Sequence, residues 1–533
     1  MAIAAVSCSS PEKMAEQAEN VIVTCNPEVL EVVGGVIDAN VTVTYPEKYF
    51  HEKAIVEVTP VIVYDGGESK MEPYMFQGEK VEDNYEVVPS DGATITKPVH
   101  FEYVKGMENC YLELRGVAKY KGKSIDLPTK KVADGAITTY MLVCKKGKVD
   151  LKEDGYQDVI TETAEGQILY SINSSEVKNS EIKGESVKNF QNAIDEINAN
   201  ERKTITGTQI VAYASPDGDE DFNANLSSGR ASSAQKAFDK VTKGKDLAAP
   251  EVSSIAEDWE GFQELVNGSD IEDKDLILRV LSMYSDPAVR EREIRNMSAV
   301  YQTLSTDVLP ELRRARFIAN VEYQNFTSEE LLEMVEDNAD ILDEAALLRA
   351  ATLVEKTSDK VALYKKAIDK FDSNTARYNL AVTYINDGDY SKAKKQLEDL
   401  EADADVNNAL GVIALNEDNL AEAAEYFKKS GNASANENLG IISILKGDYK
   451  DAASRLANSE CAVNKALANI LTDNLAAAKS ALTCDCAKAS YLKAVIAARE
   501  GDAAAVKENL DKAKENKELA KRAENDIEFA QYL

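Results

Sequence analysis

The side chains with most scope for chemistry are few. Past the first eight residues the chain carries Cys25, Cys110, Cys144, Cys461, Cys484 and Cys486, and its two histidines are His51 and His100. No Cys-x-x-Cys pair occurs, so a zinc site of ordinary ligand spacing is not expected, and no metal is assigned. The histidines stand 49 positions apart in β-type sequence, without a serine elbow or a reactive-cysteine motif near either. No glycine-rich phosphate loop follows a strand. With 93 Asp and Glu in the chain, any chosen carboxylate pair is noise. The expectation is a non-enzyme without cofactors. Cys461 could bridge to Cys484 or Cys486, close by in sequence; buried thiols acting as small apolar residues are the alternative.

The elements that must position these residues divide the chain. At 533 residues it exceeds one ordinary hydrophobic core, so three or more domains are expected. A net charge of −32 repels nucleic-acid phosphates, and nucleic acid is excluded as a partner. No stretch reaches the roughly 18 to 20 apolar residues that span a bilayer. From Val21 to about Leu142, alternating Val, Ile, Thr and Tyr between turns such as Gly34-Gly35 and Asp65-Gly66-Gly67 predict short antiparallel strands, in one or two sandwiches. From about Glu153 to Gln324, strands at 167–172, 209–214 and 312–321 alternate with helices at 186–197 and 226–241, predicting an α/β sandwich with helices on one sheet face. Trp259, the only tryptophan, reads as the packing anchor of an insert before the last strand, and Arg313, Arg314 and Arg316 form a basic cluster at that strand.

Beyond about Ser328 the chain is helical and repeats itself. A turn-plus-helix signal begins at Gly388, Asp418, Gly447, Asp473 and Gly501, each followed by an Ala-bearing helix. Such a period marks stacked helical hairpins. Arg377-Tyr-Asn-Leu-Ala-Val-Thr-Tyr-Ile-Asn-Asp-Gly388, with the Leu-Gly pairs at 410–411 and 439–440, resembles tetratricopeptide repeats, which implies protein partners.

The start, Met1-Ala-Ile-Ala-Ala-Val-Ser-Cys8-Ser-Ser-Pro, resembles the lipobox of bacterial lipoproteins, without its usual charged leader. The resemblance implies a lipid on Cys8 and an outer-membrane anchor facing the periplasm. Two acyl chains would hold it stably.

The segment Ala212-Tyr-Ala-Ser-Pro-Asp-Gly-Asp-Glu-Asp-Phe-Asn-Ala-Asn-Leu-Ser-Ser-Gly-Arg-Ala231 resembles the signature of OmpA-like domains, with Gly218, Asn223, Leu226, Ser227, Arg230 and Ala231 in register. That family binds the diaminopimelate of the peptidoglycan stem peptide. The resemblance gives Arg230 the ligand carboxylate, through charge-assisted and potentially bidentate hydrogen bonds. It puts Ser215 where the family has the aspartate that takes the ammonium, with Asp217 or Asp219 as substitutes and Asn223 nearby. The architecture expected is multidomain: tether 1–20, β-sandwich head 21–150, OmpA-like sandwich 151–326 and an all-α repeat solenoid 327–533. The function expected is an envelope lipoprotein binding peptidoglycan and envelope or outer-membrane proteins. The alternative is an outer-membrane assembly or surface-fibre scaffold whose OmpA-like domain has lost that ligand.

Overall fold

The computed structural model describes residues 11–271 and 273–533; Cys8 lies outside them. They form two compact units, one made of the chain up to Glu153 together with Glu355–Leu533, the other of Asp154–Val354. The β-rich head and the repeats therefore share a unit. Helices Ser328–Asn338 and Glu344–Leu353 belong with the α/β part. Arg202 grips Glu330 at 2.6 and 3.3 Å, and Arg349 pairs with Asp154 at 3.3 Å, tying these helices to the α/β unit's own strands and entry segment.

In the head, eleven strands join in a single sheet rather than separate ones. Val36–Tyr45 pairs antiparallel with Ala93–Glu102 and Ile22–Asn26, and Ile55–Tyr64 pairs antiparallel with Cys110–Tyr120. Alternation sends every second side chain inward. Val41, Val43 and Val99 from the first set and Val58, Pro60 and Leu114 from the second line one cavity of about 20 Å³, so the sheet folds over upon itself. Val29–Val33 joins the two sets, antiparallel to Val36–Tyr45 and parallel to Lys130–Ile137, a parallel pairing the sequence pattern did not predict. Pro60, without an N–H to give the ladder, falls where Ile55–Tyr64 changes neighbours, from Tyr74–Gly78 up to Val58 to Gly67–Lys70 from Val61.

In the second unit a four-stranded sheet runs in the order Val159–Leu169, Arg314–Gln324, Lys203–Tyr213, Glu251–Ile255. The last pair is parallel and the others antiparallel. Helices Glu185–Ala199 and Glu220–Val241 supply Phe190 and Phe238, whose ring centroids lie 5.9 and 5.3 Å from that of Phe317 in the sheet. Both helices cover one face, as their apolar periodicity predicts. The fourth strand escaped the sequence reading: its five residues are all exposed, with no inward alternation to announce it. Trp259 does sit in the insert's own core, edge-on to Phe262 at 5.7 Å.

The repeats are five helical hairpins from Asn374–Asp387 with Tyr390–Leu397 to Ala487–Glu500 with Ala503–Ala513. All five turn residues flagged by the repeat adopt left-handed backbone, with φ of 81° at Gly388, 62° at Asp418, 83° at Gly447, 57° at Asp473 and 80° at Gly501. The side chains of Asp389, Asp448, Asn474 and Asp502 then cap the second helices. Gly411 lets one hairpin close: a Cβ there would stand 2.5 Å from Cε1 of buried Phe427. Gly411→Ala is therefore expected to cost roughly 1 to 3 kcal/mol, despite alanine's better helix propensity. Urea unfolding followed by helical circular dichroism checks this, and an unchanged or raised midpoint would refute it.

Candidate functional site

Strand Lys203–Tyr213 ends at the loop that precedes helix Glu220–Val241. Asp219 turns inward on that helix and caps it, accepting from the Phe222 N–H at 3.1 Å. Asp217 goes the other way, receiving the Ser215 hydroxyl and pairing with Arg313 at 3.3 Å. Asn223, 4% exposed, donates to the Ser215 carbonyl at 3.3 Å. The loop thus brings Ser215, Asp217 and Asn223 together and spends Asp219 on the cap. The arginine cluster is divided among three acids: Arg313 on Asp217, Arg314 on Asp258 at 3.0 Å, Arg316 on Glu165 at 2.5 Å.

Arg230, nearly three turns into that helix, is 1% exposed. Its Nε donates to the Ser174 carbonyl at 3.0 Å, Nη1 to Tyr213 at 2.9 Å and Nη2 to Ser171 at 3.3 Å. The guanidinium also lies 5.1 Å from the centroid of the Tyr170 ring. Burial lowers its pKa to about 10, so it stays charged at neutral pH. Its partners are the turn after the first strand and the end of the second, two pieces of backbone that no ladder joins. A planar fork with several donors suits that task, as a lysine ammonium does not.

A second constellation lies in the other unit. Residues 144–152, outside any helix or strand and turning at Lys145–Lys146, run through the repeats as a strap, gripped by one asparagine after another. Asn464 takes the Cys144 N–H at 2.7 Å and returns a bond to its carbonyl at 2.9 Å. Asn438 does the same for Lys148 at 2.7 and 2.8 Å, and Asn408 joins on the Lys148 carbonyl at 2.9 Å. Asn379 holds Lys152 at 2.8 and 3.0 Å. All four asparagines are 2% exposed or less. A primary amide offers both a donor and an acceptor, matching the N–H and C=O of one extended residue. The ladder reads main chain, and side chains add to it: Lys145 pairs with Asp418 at 2.5 Å, Lys152 pairs with Asp403 at 2.5 Å and sits over the Tyr378 ring, and Ser434 donates to Asp150. The strap runs opposite to the repeats, its first residue on the fourth hairpin and its last on the first.

Sequence reasoning missed this ladder. The signal was present: an asparagine stands nine or ten positions ahead of the turn residues Gly388, Asp418, Gly447 and Asp473, in step with the repeat. What was absent was any mark on the ligand, because main-chain recognition leaves no side-chain motif.

The cysteines differ from expectation too. Cys461 shares a cleft with Cys144 of the strap, while Cys484 and Cys486 approach each other at 3.4 Å. The neighbouring Cys461 and the Lys146 backbone N–H hold the Cys144 thiol below its usual range, and the same proximity raises that of Cys461. Lys146 and Lys488 favour a thiolate on Cys144 as well. Among the described residues no group of three or more His, Cys, Asp or Glu is placed to hold a metal, and no helix is long and apolar enough to cross a membrane.

The chain matches no protein family and no curated protein. Solved structures do show likenesses. A tetratricopeptide repeat protein from Parabacteroides merdae ATCC 43184 is 16% identical, covers 38% of this chain and 91% of its own, and has a TM-score of 0.29. The APC/C hetero-tetramer Cut9-Hcn1 is 15% identical, covers 59% of this chain and 71% of its own, and has a TM-score of 0.31. Superpositions that loose carry no weight, and the helical-repeat architecture stands on the hairpin geometry itself.

Proposed function

We propose that the chain is a non-enzymatic interaction scaffold of the cell envelope, lipid-anchored at Cys8 in the outer membrane, whose OmpA-like domain serves assembly and holds no peptidoglycan. One observation carries the choice against wall binding. The guanidinium that would meet a stem-peptide carboxylate is 1% exposed and gives three of its N–H groups to the chain's own carbonyls. An incoming carboxylate would have to outbid bonds already made in a dry setting, at a desolvation cost of several kcal/mol. Asp217, the natural substitute for the missing family aspartate, already faces Arg313, so an ammonium there meets a neutralised acid.

The scaffold role draws on the repeats. Stacked hairpins present long continuous faces. With the strap seated, partners meet the outer faces of the hairpins and the head. Co-sedimentation of the full chain with purified diaminopimelate-type peptidoglycan tests the reading. The protein is expected in the supernatant at all salt concentrations. Pelleting that soluble diaminopimelate-containing stem peptide reverses would overturn it in favour of a wall tether.

A further inference from the structure

The strap is held by hydrogen bonds and ion pairs without a covalent tie, yet where it meets the fourth hairpin two cysteines line one cleft. Cys144 is fixed by both of its backbone polar groups to Asn464, and Cys461 is the residue that opens the helix carrying Asn464. The two thiols are thus presented to the same cleft by main chain that Asn464 and its helix hold in place. Both line an open cleft of about 420 Å³ that reaches solvent beside the strap, together with Lys146, Lys148, Glu437 and Glu460. An oxidant therefore has access, and Lys146 and Lys488 favour an attacking thiolate at Cys144. Cys25 and Cys110 are buried in the head, and Cys484 and Cys486 occupy each other, which leaves Cys144 as the partner for Cys461 among the described residues.

We propose that Cys144 and Cys461 form a reversible disulfide that locks the strap into the repeat groove. The oxidant is a low-molecular-weight or protein disulfide. The Cys144 thiolate attacks one of its sulfurs, its S–S bond breaks, and one thiolate leaves, giving a mixed disulfide on Cys144. Cys461 loses its proton to solvent and attacks the Cys144 sulfur, and the second thiolate leaves. Two protein thiols are oxidised and one external disulfide is reduced to two thiols. Excess dithiol reverses both steps. Oxidised, the strap cannot leave the ladder; reduced, it is released at the rate at which the asparagine bonds open, freeing a surface that reads extended main chain.

The test uses the full chain, treated with oxidised glutathione, alkylated and mapped by mass spectrometry without reduction. A Cys144–Cys461 cross-linked peptide is expected in the wild type and in the Cys484→Ser/Cys486→Ser double variant, and in neither Cys144→Ser nor Cys461→Ser. Hydrogen exchange of the strap amides is expected to slow at least about tenfold on oxidation in the cross-linking proteins only. Cys461 found joined to Cys484 or Cys486 would overturn the proposal, as would stable glutathione adducts on Cys144 and Cys461 without cross-linking. A cross-link that leaves strap exchange unchanged would overturn the locking role. Should a serine variant fail to fold, the wild-type map decides alone. None of these outcomes depends on whether the other unit binds peptidoglycan.

Discussion

Arg230→Ala is expected to lower the melting temperature of the α/β unit by roughly 6 to 20 °C, whatever it does to ligand binding. Removal leaves the carbonyls of Ser171, Ser174 and Tyr213 without their donor and empties the space of the chain's largest fully buried side chain. Each orphaned buried acceptor costs about 1 to 3 kcal/mol, so a total of about 3 to 5 kcal/mol is expected even after water enters. In a unit of this size each kcal/mol shifts the midpoint by about 2 to 4 °C. The single tryptophan, Trp259, lies in this unit, so its fluorescence reports the unit's melting without interference from the repeats. Arg230→Lys should recover less than half the loss, since one ammonium cannot span three carbonyls set around a planar fork. Were Arg230→Ala as stable as the wild type, the guanidinium would be no structural tie, and the wall-binding role would return as its reason for being there.

The second large effect is at Asn438. It is fully buried and bonds the Lys148 N–H, the Lys148 carbonyl and the Asn408 side chain, so Asn438→Ala takes out the middle rung of the ladder. The strap carries Lys145, Lys146, Lys148 and Lys152, each a tryptic site that cleaves only once the segment has left the groove. Losing roughly 2 to 4 kcal/mol of local hydrogen bonding should raise the open population, and with it the first tryptic cut, on the order of a hundredfold. Strap-side support comes from Gly147, where φ is 72° and an added Cβ would stand 2.8 Å from Val412 Cγ2. Gly147→Ala should therefore accelerate cleavage in the same direction. Equal digestion rates for wild type and Asn438→Ala, measured under reducing conditions, would mean that the ladder does not govern strap release.

How far the sequence announced all this varied with the kind of physics involved. The hairpin turns were fully legible, because a helix that ends in left-handed backbone asks for Gly, Asn or Asp, and Gly388, Asp418, Gly447, Asp473 and Gly501 supply them at a steady interval. The two helices over the α/β sheet were equally plain from their apolar stripes. The helix from Glu220 begins six residues earlier than its apolar residues suggested, because Asp219 caps it where periodicity is still silent. Strand Glu251–Ile255 was invisible because an exposed edge demands no apolar alternation. At the candidate site, residue types told which groups could meet an anion, but not that Arg230 would turn to backbone. Carbonyls are carried by every residue, and nothing in a sequence says which will be left without partners at a strand's end. The same holds for the strap, where asparagine and main chain meet across 227 to 320 positions.

That separation bears on how the molecule is made. The strap leaves the ribosome with the head, and the asparagines that receive it follow after the whole α/β unit has been synthesised. At about 5 to 20 residues per second the wait is on the order of tens of seconds. Throughout it, Cys144-Lys-Lys-Gly-Lys-Val-Asp-Leu-Lys152 must stay in water unpartnered, and four lysines with an aspartate keep such a stretch from joining a nascent sheet edge. Assembly of this unit is thus a docking event between its earliest-made and latest-made parts, and a truncated chain that stops before Asn464 would present a strap with its last clasp missing.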